Sequence, residues 1–315
     1  MTETLFIINP VAARGTTFKR WVETRPRLVA LGIELREHLT TRTGEATEVT
    51  RQAITQGITR IVAVGGDGTL NEVVNGYLDQ SGKALNPEAT LGLLPSGTGS
   101  DFRRSLGFRT GADSIRALAG TRTRRVDAMR IVFTGGDGAE LSRFGINVAS
   151  FGLGGETVAL VNKWRESLPS WIGGRARFIA AAVSALNRHR SVPITIQLDC
   201  EREVAVASNL IVVANGQYAG GGMMLAPNAK LDDGLLDVIL TDRLTRFDII
   251  KELRRIGRGG HLKNPKVSET RATDVAICAA EPLAIDIDGE MASYTPARLT
   301  ILPSAIRFAV RSDRS

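Results

Sequence analysis

The chain has 315 residues, 43% of them hydrophobic, and carries 40 Lys and Arg against 33 Asp and Glu, a formal net charge of +7. Its length exceeds one compact core and predicts two domains of roughly 100 to 200 residues, while its apolar runs fall far short of the ~20 residues of a membrane-crossing helix. Cys200 and Cys278 are its only cysteines, and no Cys or His pair stands at metal-ligand spacing, which argues against a disulfide framework and a zinc site. The surplus of cations favours anionic company: nucleotide, nucleic acid or an acidic membrane surface. Basic residues cluster around Arg122, Arg124 and Arg125, in RARFIAAAVSALNRHR and in KELRRIGRGGHLKNPK, and read as solvated helix and loop faces. The start MTETLFIINP has no basic leader before a long apolar segment, because Leu5 to Ile8 already reads as a buried strand, so a cytoplasmic place is expected.

In chain order, the first third alternates in type. A strand TLFIIN leads to a helix-like stretch ending at Leu31, a short strand near Glu34 to Leu39, a helix EATEVTRQAI, a strand RIVAV, another helix and a strand TLGLLP. This βαβ grammar predicts a parallel sheet covered by helices on both faces. From about Asp127 the grammar changes. MRIVFT, LSRFGINVASF, PITIQLD, EVAVASNLIVVAN, GLLDVILT, DVAICAA, LAIDIDG and ARLTILP are strands mostly not separated by helices, and predict a largely antiparallel region. Helices are expected at Glu156 to Leu168, Gly174 to Arg188 and Phe247 to Ile256. The expected fold is therefore α/β with two domains, a parallel α/β domain over 1–127 and a β-rich, sandwich-like domain over 128–302, sharing a close cleft.

GGDG occurs twice, at Gly65 to Gly68 and at Gly135 to Gly138. After the first copy, Leu70, Val73, Val74, Tyr77 and Leu78 keep the spacing of one buried helix stripe. Thr69 and Glu72 stand as T-x-x-E, the signature of a capping box just after Gly68. A strand, a bare glycine turn and a helix start together form an anion site, because unsatisfied N–H groups and the positive end of the helix dipole converge there. Phosphate is its natural occupant. Asp67 would repel phosphate unless a cation intervened, which makes it a direct or indirect partner of Mg²⁺. The second copy is followed by AELSRFGIN with no helical stripe, and reads as a hairpin loop. A second strand-turn-helix follows at LGLLPSGTGSDFRRSLGF, and IINPVAARG offers a third strand end, with Asn9 turning the chain and Arg14 supplying charge. Open α/β sheets bind ligands at such strand ends.

The segments INPVAARG, GGDGTLNEVVNG, LPSGTGSDFRR, NVASFGLGGE, ANGQYAGGGMMLAPNAKLDDGLLDV and IDGE, in this order, resemble the bacterial diacylglycerol kinase family, with its lipid kinase and sphingosine kinase-like relatives. GGDGT alone is less specific, since NAD kinases and phosphofructokinases carry comparable loops; the segment from Ala214 to Val238 separates them. The resemblance implies a nucleotide-binding domain and a lipid-substrate domain with ATP and the lipid hydroxyl meeting between them, and a final strand, Ile306 to Val310 within about 303–315, returning to the first domain. It implies an ATP- and Mg²⁺-dependent lipid kinase that phosphorylates diacylglycerol or a similar lipid at the inner face of the membrane.

By matching motifs, the resemblance gives the ATP phosphates Gly65, Gly66, Asp67, Gly68, Thr69, Leu70 and Asn71, with Thr98, Asn9 and Thr40 as further contacts, Thr41 standing beside Thr40 as its rival. A metal and water network would fall on Asp67 and Asp127, although Asp127 alternatively caps a strand. Glu290 matches the proton acceptor, with Asp288 orienting it or the metal; read without the resemblance, DGE is an ordinary exposed turn. A structural cation would take the backbone carbonyls of Lys230 and Leu235 and the carboxylate of Asp233, with Asp232 as an alternative ligand. Ser100 departs from the family's usual Asn. The stretch NKWRESLPSWIGGRARFIAAA, with Trp164, Trp171, Arg175 and Arg177, either rests on an anionic surface or packs between domains. Competing readings are a soluble-substrate kinase of NAD kinase type and a non-catalytic lipid or nucleotide sensor. Nucleic-acid binding ranks last, for want of an aromatic-basic motif.

Overall fold

The computed structural model describes residues 3–96, 100–164, 174–186 and 190–312. The chain divides into two compact units, Met1–Asp127 with Pro303–Ser315, and Ala128–Leu302.

The first unit is built on parallel strands. Its elements are β1 (Thr4–Ile8), α1 (Thr16–Ala30), β2 (Leu35–Leu39), α2 (Glu45–Thr55), β3 (Arg60–Gly65), α3 (Asp67–Tyr77), β4 (Thr90–Pro95), α4 (Asp101–Ser105) and α5 (Gly111–Ala119). Strand β1 lies between β2 and β3, β3 pairs with β4, and the chain's last strand adds Phe308 beside Leu91. All five residues of β1 are buried, as expected where helices cover both faces of a sheet. Phe6, Ile8, Val62, Val64 and Leu94 pack on one face with Trp21 and Leu28 of α1 and Leu118 of α5. Helices α2 and α3 pack together over the strands from the other side. Within α3, Leu70, Val73, Val74 and Tyr77 are buried, which is the stripe that the spacing predicts.

The second unit contains the later part of β5 (Thr123–Thr134), then β6 (Glu140–Gly145), β7 (Val148–Gly152), α6 (Leu153–Lys163), α7 (Gly174–Ala185), β8 (Val192–Leu198), β9 (Arg202–Ser208), β10 (Leu210–Ala214), β11 (Tyr218–Ala219), β12 (Met223–Met224), β13 (Leu236–Thr241), α8 (Arg246–Arg255), β14 (Val267–Ala272), β15 (Asp274–Ala279), β16 (Ala284–Ile287) and β17 (Glu290–Ala309). Its pairings are antiparallel, running β14-β13-β10-β7-β16-β17, with β15, β8 and β9 continuing from β17 and the β5–β6 hairpin also joined to it. Ile131, Phe151, Ile196, Ile211, Val238, Val275, Ile285 and Leu299 form a core between the inner faces of these strands. A second apolar layer joins Val148, Val212 and Ile239 to Leu153, Ala185, Leu186 and Ile249, so α6, α7 and α8 cover the outer face of β7, β10 and β13.

Several boundaries differ from the sequence expectation. LSRFGINVASF is two strands, β6 and β7, because the N–H groups of Ile146 and Asn147 donate to Asp288. EVAVASNLIVVAN is also two, since Ser208 Oγ accepts the Leu210 N–H at 3.2 Å and bends the chain. Helix α6 starts three residues before Glu156, Trp164 follows its end, and Leu168, Trp171 and Arg188 lie outside the described residues. The second GGDG closes the β5–β6 hairpin, with Gly138 at φ 83° and the Gly135 N–H donating to Ala139 O at 2.7 Å. Among the described residues, no helix is long and apolar enough to cross a membrane.

Candidate active site

Candidate residues fall in both units. In the first, β3 ends at Gly65 and α3 begins at Asp67, with Gly66 as its N-cap in extended conformation and no side chain capping it. The expected Thr69–Glu72 capping box is not formed, because the helix starts two residues earlier and puts Thr69 inside its first turn. Thr69 Oγ1 instead accepts from Asn9 Nδ2 at 3.2 Å, and Glu72 Oε2 accepts the Ala46 N–H of α2 at 3.2 Å. Asn9 is held in turn: its Oδ1 accepts the Ala12 N–H at 3.1 Å and its own N–H donates to Val64 O at 3.0 Å. The loop after β1 and the glycine turn after β3 are thus bolted together at the C-terminal edge of the sheet. A Cβ on Gly65 would lie 2.4 Å from Thr69 Oγ1, whereas one on Gly66 would meet nothing within 4 Å. An uncapped helix start faces open space there, the arrangement that favours a phosphate.

Asp67 spans to the second glycine loop. Its Oδ2 accepts the Asp101 N–H at 2.9 Å and its Oδ1 the Phe102 N–H at 3.2 Å, so this carboxylate caps α4. Ser100 Oγ donates to Asp67 Oδ1 at 3.4 Å, so the serine keeps a donor in this network. Thr98, with Gly97 and Gly99, lies outside the described residues. Leu70 is fully buried and its N–H closes on Gly66 O at 3.1 Å; Asn71 is also fully buried, and its Oδ1 accepts from Asn75. These two support the turn from beneath. Thr40 is buried at the end of β2, with its N–H on Ile8 O at 2.9 Å. Thr41 gives both its N–H and its hydroxyl to Glu45, whose carboxyl these bonds and His38 pull down to about 2. Asp127 is buried and its Oδ1 accepts the Ser304 N–H at 2.6 Å, tying the end of the first segment to the returning strand.

In the second unit, β16 and β17 are joined by Asp288 and Gly289 at φ 51° and 89°. Two successive left-handed residues make the tight hairpin that Asp-Gly favours. The buried Asp288 carboxylate accepts three backbone N–H groups, from Ile146 at 2.8 Å, Asn147 at 2.9 Å and Val148 at 3.0 Å. The Ala214–Val238 segment grips the same stretch, with Asn215 Nδ2 donating to Ile146 O at 2.9 Å and Asn147 Nδ2 donating to Tyr218 O at 2.6 Å. Glu290 begins β17 with its side chain 35% exposed, and Arg143 of β6 pairs with its Oε2. A solvent-reachable carboxylate on a turn this well anchored is suited to accepting a proton.

Arg143, Asp286 and Ser150 were not singled out by sequence reasoning. Asp286 Oδ1 accepts the Gly289 N–H at 2.9 Å and Oδ2 accepts from Ser150 Oγ at 2.8 Å, so it closes the hairpin from behind. Burial, with the nearby charge of Asp288 adding to it, pushes its carboxyl up to about 7. Its place two residues before Asp288 on an alternating strand was a usable signal; Arg143 gave no local one.

In the Lys230–Leu235 loop, Asp233 Oδ1 accepts the Leu235 N–H at 3.2 Å and Gly234 takes φ 72°. Lys230 and Asp232 are exposed. Asp237, just beyond, is fully buried: Arg271 Nε holds its Oδ1 at 3.0 Å, while its buried Oδ2 has no hydrogen-bond partner among the described residues. Burial raises the Asp237 pKa, and the charges of Glu269 and Asp233 add to that rise. A buried carboxylate oxygen without a partner is a group that a cation with mixed oxygen ligands would satisfy. Among the described residues, no cluster of three or more His, Cys, Asp or Glu side chains is arranged to hold a metal.

A phosphate-type turn on a parallel sheet, followed by a β-sandwich with an anchored carboxylate hairpin, is the frame of a two-domain kinase. Residues 3–131 match the diacylglycerol kinase catalytic domain, and residues 147–310 match the YegS C-terminal NAD kinase beta sandwich-like domain. The chain is 31% identical over 98% of its length to "Probable lipid kinase YegS-like" of Chromohalobacter salexigens, covering 93% of that protein. It is 26% identical to the diacylglycerol kinase of Mycobacterium tuberculosis, across 96% of this chain and 93% of that one, and 26% identical to that of Bacillus subtilis, across 100% and 98%. A crystal structure of a diacylglycerol kinase from Bacillus anthracis shares the fold, with a TM-score of 0.72 at 22% identity over 98% of this chain and 97% of that one. The chain belongs to the diacylglycerol kinase family of lipid kinases.

Proposed function

We propose that the protein transfers the γ-phosphoryl group of ATP to the hydroxyl of diacylglycerol or a similar lipid, with Mg²⁺ required. The observation that carries this reading is the uncapped start of α3, opened by Gly66 and braced by the Asn9–Thr69 bond. Phosphoryl transfer asks for positioning and charge neutralisation more than covalent help. The main-chain donors of the glycine turn orient the triphosphate, and Asn9 and Thr69 keep that turn in shape. Asp67 fixes the second glycine loop against the first by capping α4; with Asp127 it would hold, directly or through water, a Mg²⁺ that would neutralise phosphate charge.

In the second unit Glu290 takes the proton of the acceptor hydroxyl, with Arg143 holding one carboxylate oxygen and leaving the other toward the substrate. Asp288 is the positioning residue for that hairpin. A second, structural cation would take the Asp233 carboxylate and the carbonyls of Lys230 and Leu235; the unpartnered buried Oδ2 of Asp237 supports this reading. The acceptor lipid lies at a membrane surface, which makes the contact peripheral. Incubation with Mg²⁺, labelled ATP and micelles of several hydroxylated lipids tests the reading. Label in a lipid product is expected; transfer to NAD instead supports the soluble-substrate alternative, and no transfer to any lipid despite ATP binding refutes the proposal.

A further inference from the structure

Helix α8 carries an exposed face that the catalytic reading leaves unused. Its inward side is settled: Ile249 is buried and Leu253 packs against the same apolar layer. Both of its carboxylates are also engaged. Asp248 closes a capping box with Thr245 and pairs with Lys266 Nζ at 2.7 Å. Glu252 is buried, accepts from Asn264 Nδ2 at 3.1 Å and lies 3.5 Å from Arg255 Nη1. On the opposite side Phe247 is 75% exposed and Ile250 41% exposed. Spaced three apart, they share one helix face. Around them Arg246, Lys251, Arg254 and, just beyond the helix, Arg258 are all exposed. Lys251, Arg254 and Arg258 make no ion pair among the described residues. The exposed residues of α8 are thus apolar or cationic, with no carboxylate among them.

We infer that this face docks the protein on an anionic lipid bilayer. Phe247 and Ile250 enter the boundary between headgroups and acyl chains, and the surrounding cations meet lipid phosphates; this is the division of labour of an interfacial amphipathic helix. A second copy of the chain is a poor occupant, because self-pairing would set these cations against their own kind. The inference deepens the lipid-kinase reading and rests on it for the presence of a membrane.

Co-sedimentation of the full chain with phosphatidylcholine vesicles, with and without phosphatidylglycerol, tests it. The wild type is expected to bind the mixed vesicles more tightly, and salt to weaken that binding. Phe247→Ser with Ile250→Ser should lower it about tenfold or more, and Lys251→Gln and Arg254→Gln about fivefold for each charge removed. These side chains are exposed, and circular dichroism checks that the variants stay folded. Variants that sediment like the wild type overturn the inference, as do a wild type indifferent to phosphatidylglycerol and a Phe247 substitution that dissolves a dimer while leaving vesicle binding intact. Phosphoryl transfer to a short-chain diacylglycerol dissolved as monomers separates the two readings. Transfer there with unaltered vesicle binding by the variants sinks only the docking face, and lack of any transfer sinks only the catalytic reading.

Discussion

Gly65 and Thr69 are packed so closely that a single methyl group at position 65 would lie 2.4 Å from the threonine hydroxyl oxygen. The clash falls on the bond that ties Asn9 to the turn. Gly65→Ala should therefore weaken nucleotide binding by about tenfold or more, since overpacking in such places costs about 1–3 kcal/mol. Thr69→Ser retains the hydroxyl and should stay close to the wild type. Isothermal titration with ATP and Mg²⁺ checks both; unchanged affinity in Gly65→Ala would mean that the turn is not the phosphate site.

Asp288 concentrates three main-chain hydrogen bonds on one buried carboxylate. Asp288→Ala leaves those donors without an acceptor and should cost about 3 kcal/mol or more of stability, hydrogen bonds to a charged group being worth about 1.5–3 kcal/mol each. Denaturant unfolding measures the loss. Stability equal to the wild type would show that the Ile146–Val148 stretch does not depend on this anchor.

Asp286 makes a pH-dependent contribution of known sign. Burial pushes its carboxyl up to about 7 in the folded protein, against about 3.9 in an unfolded chain. Between these values the folded state holds a proton that the unfolded state has released, so this residue's contribution to stability is greatest below about pH 4 and is lost as pH rises toward about 7. The loss is on the order of 4 kcal/mol. Asp286→Asn cannot ionise, yet its amide can accept from the Gly289 N–H and donate to Ser150 Oγ. The variant should gain on the wild type as pH rises from 5 to about 8, as measured by urea midpoints; parallel pH profiles for the two would contradict the assignment.

The loop around Asp233 predicts cation-linked stability. Excess Mg²⁺ or Ca²⁺ should raise the melting temperature of the wild type by a few degrees, following mass action on a site present only in the folded state. Asp233→Ala, and Asp237→Asn more weakly, should reduce that rise. Melting curves with added cation and with EDTA, in the absence of nucleotide, check it. An identical rise in Asp233→Ala would place the cation elsewhere.

Local patterns carried much of the fold. The Leu70–Tyr77 stripe and the β-branched runs of the first third reported a parallel sheet under helices, and the close succession of strands after Asp127 reported the antiparallel region. Local patterns failed where a distant group took a backbone donor or a side chain. Thr69 and Glu72 have the spacing of a cap, yet Glu72 serves α2 and the helix begins at Asp67. The break inside LSRFGINVASF is set by Asp288, 142 positions from Ile146. Arg143 meets Glu290 across 147 positions, and nothing local marks either as the other's partner. The high pKa of Asp286 follows from burial, which the alternating pattern of AIDIDGE hints at without its extent.

The most direct test falls on Glu290, which the proposed function makes the acceptor of the lipid hydroxyl's proton. Glu290→Gln keeps the shape of the side chain and removes its basicity. Measured together, ATP affinity by titration and single-turnover transfer to diacylglycerol micelles should diverge in this variant. The account predicts ATP affinity within about twofold of the wild type and transfer slowed about 10²–10⁴-fold, the usual worth of a positioned base. Transfer at the wild-type rate by Glu290→Gln would contradict it.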